Sequence, residues 1–185
     1  MVAETIKDMR AKMDKSIDSL HRELGKVRTG RASLAILDTI RVDYYGTSTP
    51  LTQMATLSVP ESRLITIQPW DATAMEAIEK SILTSDLGLN PSNDGKIIRL
   101  SIPPLTEERR REMVKLAKKY AEDARISIRN ARRDANELLK DLEKEKEITE
   151  DDLKRAHEEV QGVTDEYIKK VDSIMKSKET DIMEI

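Results

Sequence analysis

The sequence predicts an α+β protein: an elongated antiparallel three-helix bundle into which a small β-rich domain is inserted. Three observations carry that expectation. Apolar residues step by three and four along residues 6–27, 113–142 and 153–174, the seam of helices packed lengthwise. Between the first two seams, across residues 31–105, the period changes to two and turn residues intervene. The composition, 36% charged and 3% aromatic with no Phe, suits thin helices that bury one narrow stripe and solvate the rest.

The first helix follows from Ile6, Met9, Met13, Ile17, Leu20, Leu24 and Val27. The pattern stops at Lys26-Val27-Arg28-Thr29-Gly30, and Gly30 is the expected left-handed terminator. Strands are expected over residues 39–45, 55–59, 64–69 and 96–102, with turns at Gly46, at Pro60 and across residues 90–95. One helix interrupts them, capped by Asp71, buried through Met75, Ile78 and Ile82, and closed at Gly88.

The second long helix opens at Thr106, followed by Glu107 and Glu108 at the positive end of the dipole. Its seam reads Met113, Ala117, Tyr120, Ala124, Ile128, Ala131, Ala135, Leu138 and Leu142. From Thr106 to Lys146 it spans roughly 40 residues, or about 60 Å. Its alanines imply close approach of neighbouring helices. The third long helix opens at Thr149, with acids at the next three positions and Ile148 and Leu153 placed for a hydrophobic staple. Leu153, Ala156, Val160, Val163, Tyr167, Val171 and Ile174 form its seam. Gly162 inside it costs about 1 kcal/mol relative to Ala with no reason visible in the sequence. The short joint at Glu145-Lys146-Glu147 makes these two helices antiparallel neighbours. The domain division is therefore residues 1–29 with 106–185 as the bundle and 30–105 as the insertion, with Thr29, Gly30, Pro103 and Pro104 as a hinge.

A net charge of −3 conceals a local excess. Residues 1–105 balance 13 bases against 13 acids, residues 106–133 carry 10 against 5, and residues 134–185 carry 9 against 17. An anionic partner would thus meet one face of the molecule. The absence of cysteine excludes disulfides, thiolate nucleophiles and sulfur-based zinc sites. No apolar run approaches the ~20 residues of a membrane span. The start, Met-Val-Ala-Glu-Thr-Ile-Lys-Asp, fits neither a signal nor a transit peptide, so a soluble cytoplasmic protein is expected.

The strongest chemical signal lies on the second long helix. Arg111, Lys115, Lys118, Arg125, Arg129 and Arg132 step by three and four along one side, apart from Glu122, and Arg133 widens the line. Lys26, Arg28 and Arg31 add charge at the end of the first helix. Guanidinium groups in such a stripe suit RNA, where they fork onto phosphates and stack on exposed bases. The competing reading is a solvated face paired with acids of the third long helix. His21 and His157 have no second ligand at metal spacing, and Ser33 and Ser58 have no base partner. The glycines form no phosphate-binding or dinucleotide motif. These features describe a binding protein with no catalytic constellation, no cofactor and no metal. Tyr44-Tyr45-Gly46-Thr47 reads as a strand end before a turn in preference to a base-stacking platform, and Trp70 suits either the domain core or a partner-facing surface.

Five stretches carry a resemblance that spans the chain. They are Lys26–Ser33; Tyr44–Thr47 with Pro50-Leu51; Ser85–Pro91; Pro103–Arg110; and Arg129–Asn136. In this order and spacing the sequence resembles the ribosome recycling factors. The resemblance implies an L shape of near-tRNA size, with the bundle as one arm and the insertion as the other. It also implies binding to the post-termination ribosome through large-subunit ribosomal RNA, and splitting of the subunits with elongation factor G as that partner hydrolyses GTP. The family's RNA contacts fall here on Arg28, Arg31, Arg129, Arg132 and Arg133. A monomer without enzymatic activity is expected. The alternatives are a structural coiled-coil scaffold, which would use the same seams for self-association, and some other RNA-docking module.

Overall fold

The computed structural model describes residues 1–184. In chain order its elements are α1 (Val2–Gly25), β1 (Arg41–Tyr44), β2 (Thr47–Pro50), β3 (Ala55–Glu61), β4 (Leu64–Pro69), α2 (Met75–Leu83), β5 (Pro91–Asn93), β6 (Ile98–Ser101), α3 (Glu107–Lys144) and α4 (Glu150–Met183). They form two compact units, one of Met1–Thr29 with the chain from Glu107 onward, the other of Gly30–Thr106.

In the first unit α3 packs against both α1 and α4. Cross-helix contacts fix the directions. Ser16 meets Ser127 at 2.7 Å and Lys12 meets Asp134 at 3.4 Å, so moving back along α1 moves forward along α3. Lys118 with Glu179 and Arg125 with Asp172 make α3 and α4 antiparallel in the same way. The core runs the length of the bundle through Met9, Met13, Ala117, Ala121, Ile128, Leu139, Val160 and Val171.

The sequence seams need one correction. Leu138 is 50% exposed, while Leu139 is fully buried; Tyr120 and Ile174 pack partly buried against the core, with their neighbours Ala121 and Met175 buried more deeply. The buried positions of α3 follow 117, 121, 124, 128, 131, 135 and 139, a period nearer the 3.6 of a straight helix than the 3.5 of a supercoiled one. Helix α1 also stops earlier than expected, at Gly25, with Lys26 as an αR cap. Gly30 does take the left-handed conformation, at φ +75°, but in the segment beyond the helix.

Thr149 begins α4 as the sequence suggests. Its hydroxyl accepts from the Asp152 backbone N–H at 3.1 Å while the Asp152 carboxylate accepts from the Thr149 N–H, a reciprocal capping box. The α3–α4 joint closes without glycine. Lys146 sits at φ +61°, Glu147 N–H reaches Leu142 O at 2.9 Å and Lys146 N–H reaches Glu143 O at 2.9 Å, the two bonds of a Schellman turn.

The second unit has a β1–β2 hairpin and a four-stranded antiparallel sheet in the order β3-β4-β6-β5. Helix α2 packs on β1 and β5. Ile65, Ile67, Ile78, Ile82, Ile98 and Leu100 fill the core with no measurable exposure. Two strands were missed from the sequence. β2, Thr-Ser-Thr-Pro, lacks a large apolar residue, and β5 lies inside the stretch read as a turn. The hairpin turn places Tyr45 at φ +50° and Gly46 at φ +80°, the two positive φ values that a tight two-residue hairpin requires. Asp71 caps a short 3-10 turn, Ala72–Ala74, that leads into α2. Its other oxygen accepts from the Tyr44 hydroxyl at 2.6 Å, which pushes the Tyr44 pKa up to about 12. Both chain crossings are tied to the β3–β4 turn: Ala32 N–H donates to Ser62 O at 2.7 Å, and Ile102 N–H to Arg63 O at 2.8 Å.

Candidate nucleic-acid interface

Helix α3 positions the basic stripe because its alanine-rich seam turns inward, leaving the flanking arginines along the groove toward α4 and on the outer face. The acids of α4 then sort them. Lys118 pairs with Glu179 at 3.6 Å. Arg125 donates through Nε and Nη2 to Asp172 Oδ1 at 3.2 and 2.7 Å, and through Nη1 to Glu122 at 3.2 Å. It is the most enclosed of these, with its side chain 23% exposed. Arg111 pairs with Glu107 one turn back. The competing reading, a face paired with acids of the third long helix, holds for Lys118 and Arg125, although Arg125 is enclosed rather than solvated, and Arg111 is paired within its own helix.

Further along, the pattern changes. Among the described residues Arg129 keeps a single acid, Glu122, at 3.1 Å, and it stays half exposed. Arg132 Nη1 donates to the neutral oxygen of Gln161 at 3.3 Å, and Gln161 Nε2 donates onward to Asp165 at 2.8 Å. The Asp165 bond fixes which way the amide faces, so its oxygen is held toward Arg132. Arg133 is exposed and, among the described residues, its side chain has no hydrogen bond or ion pair. Arg129, Arg132 and Arg133 are therefore charges on one short stretch of α3 that α4 does not fully neutralise.

Of the other two arginines singled out from the sequence, Arg28 does not join this group and Arg31 lies in the other unit. Arg28 is exposed and lies past the end of α1. Since Ser16 is level with Ser127 and the two helices are antiparallel, Arg28 falls on the order of 20 Å along the bundle from Arg129. Arg31 belongs to the second unit and is exposed. Gln161, Asp165 and Asp172 escaped the sequence reading because their role depends on the α3–α4 register, which no periodicity within one helix reveals.

Neither histidine builds a site. His157 Nδ1 lies 2.7 Å from Asn136 Oδ1 across α3 and α4, and His21 is exposed on α1. No group of three potential metal ligands occurs among the described residues. Trp70 is 66% exposed, its indole donating to Thr56 Oγ1 at 2.9 Å, so it faces solvent and not the core. No described helix is long and apolar enough to cross a membrane.

A family model described as Ribosome recycling factor matches residues 20–183. The chain belongs to the ribosome recycling factor family. A ribosome-recycling factor of Oleidesulfovibrio alaskensis is 58% identical over 174 residues, covering 94% of this chain and 95% of the relative. One from Geobacillus kaustophilus is 55% identical over 185 residues, covering all of both chains. Among solved structures, the solution structure of a ribosome recycling factor has TM-score 0.76 at 43% identity, covering 100% of this chain and 98% of that one. A second, the Thermus thermophilus factor described with Escherichia coli elongation factor G on the post-termination complex, has TM-score 0.66 at 46% identity over 99% of each chain. The α+β fold expected from the sequence is that of the family.

Proposed function

We propose that the chain works as a ribosome recycling factor in the cytoplasm. It binds the post-termination ribosome, docks α3 on large-subunit ribosomal RNA, and with elongation factor G splits the ribosome into subunits, releasing mRNA and tRNA. GTP hydrolysis belongs to the partner; this chain supplies a surface and a lever and catalyses nothing. The observation that carries the reading is the end-to-end likeness to a factor described on the post-termination complex with elongation factor G. The incompletely neutralised charges of Arg129, Arg132 and Arg133 support α3 as the docking face, with Arg28 and Arg31 as separate contacts.

The bundle is the stiff part, since three helices share one continuous core. Motion between the units belongs to the linkers. The bonds at Ala32 and Ile102 anchor both crossings to the β3–β4 turn, so a hinge would reside in Thr29 and Gly30 on one strand and Pro103 and Pro104 on the other. A cross-link between the units should then abolish recycling while leaving ribosome binding intact; full retained activity would remove the hinge from the mechanism. The seams of the bundle are satisfied internally, which supports a monomer over a self-associating scaffold.

The deciding experiment is sedimentation of vacant ribosomes with this protein, elongation factor G and GTP, with an initiation factor present to block reassociation. Free subunits only in the complete mixture are expected. Ribosomes that stay whole, with or without bound protein, would overturn the reading.

A further inference from the structure

The arginines of α3 differ in how firmly they are held, and the contrast is sharpest between two that share one carboxylate. Glu122 gives one oxygen to each of two neighbours, Oε2 to Arg125 Nη1 at 3.2 Å and Oε1 to Arg129 Nη1 at 3.1 Å. Arg125 is fixed from the other side by Asp172 of α4, through two nitrogens, and is mostly enclosed. Among the described residues Arg129 has Glu122 alone, and its side chain is 46% exposed. A phosphate reaching the outer face of α3 thus competes with Glu122 for Arg129 and finds Arg125 already engaged.

We propose that Glu122 limits the affinity of the RNA interface: its carboxylate stands in for phosphate on Arg129 in the free protein, is exchanged for an RNA phosphate on docking, and recovers Arg129 on release. The inference rests on the docking reading given above. The exchange is physically inexpensive because of Arg125. When Arg129 turns outward, Glu122 keeps one guanidinium beside it, held in place by Asp172, so no carboxylate is left unpaired next to a polyanion. Glu122 is ionised at neutral pH, its pKa lowered first by the Arg129 bond and then by that of Arg125. Its charge lies well within a Debye length, about 10 Å, of any phosphate on Arg129, so salt screens the repulsion only in part. A factor that must leave the ribosome each round benefits from such a limit, because affinity within one interface is set mainly by the off-rate.

The test is Glu122→Gln, which keeps the size of the side chain, removes its charge and leaves one oxygen able to accept from only one of the two arginines. Binding of purified large subunits is measured across a salt series, with dissociation followed after dilution. Affinity should rise about two- to fivefold, the size of an exposed ion pair that no longer has to be broken. The salt dependence should steepen, since without the carboxylate beside it the full charge of Arg129 displaces cations condensed on the RNA phosphates, and dissociation should slow. In an Arg129→Ala background the gain should vanish. Unchanged or weaker binding by Glu122→Gln would overturn the proposal, a weakening making Glu122 a residue that aims Arg129. An equal gain from Asp123→Asn, whose carboxylate is exposed about 100° further round the helix, would overturn it in favour of general charge. If Arg129→Ala alone leaves affinity unchanged, the docking role of Arg129 fails first and the exchange with it. That outcome is distinct from Arg129→Ala weakening binding while Glu122→Gln does not strengthen it, in which case only the exchange falls.

Discussion

The two units bury apolar surface by opposite means. Among the described residues of the bundle, six of the twenty buried core residues are alanines, five on α3 and one on α4. In the inserted unit only two of fifteen are, and the rest are Ile, Leu, Val and Met. Small residues let helix axes approach and spread a modest burial along the whole bundle. The insertion has no such length, so it concentrates stability in a few large side chains between α2 and the strands. The bundle is therefore the region sensitive to added volume and the insertion the region sensitive to lost volume.

The largest expected effect comes from removing volume in the insertion. Ile78→Ala empties a fully buried position on α2 and should cost about 2–5 kcal/mol. Trp70 is the sole tryptophan and lies in this unit, so its fluorescence should report the loss in a urea titration while helical circular dichroism from the bundle persists. If both signals collapse together, the two cores are not separate in energy. Adding volume to the bundle comes next. Ala121→Leu, at a fully buried position on α3, should destabilise by about 1–3 kcal/mol in the helical signal. The same addition accommodated without cost would mean the helices are not closely packed there.

Gly162→Ala should act the other way. A Cβ at this position meets nothing within 4 Å and nothing in the structure requires glycine. Restoring helix propensity should stabilise the bundle by about 0.5–1 kcal/mol in the same titration. The smallest effect concerns pH and falls on the insertion. Asp94 accepts from the backbone N–H groups of Ile97 and Lys96 and pairs with Arg99, which holds its carboxyl down at about 2 from an ordinary 3.8. A depressed folded pKa contributes stability that is present above the unfolded value and lost as pH falls toward the folded one. The insertion should weaken between about pH 4 and pH 2, and Asp94→Asn should flatten that part of the profile; an unchanged slope would assign it to other carboxylates.

Much of this was readable from the chain. Local signals specified local structure: Thr149 for the start of α4, Asp71 for the turn into α2, and the three-four stepping for three long helices. Those devices act within one turn of backbone, so they are written contiguously. The stripe Arg129, Arg132 and Arg133 was legible for the same reason, as residues three and four apart share a helix face.

What the sequence alone could not supply was anything set between elements. The phase of the α3 seam at Leu139 instead of Leu138 depends on how straight the helix runs against its neighbours. β2 and β5 exist because their partners' backbone bonds complete them, not because of their own side chains. Which arginines remain available was likewise decided in three dimensions. Arg125, Arg129 and Arg132 look equivalent along the chain, yet the α3–α4 register puts Asp172 on the first, leaves Glu122 to the second and offers only an amide to the third. Periodicity determines which way a side chain points, whereas its charge balance is set by whatever the facing helix places within hydrogen-bond reach, and that is a property of the fold.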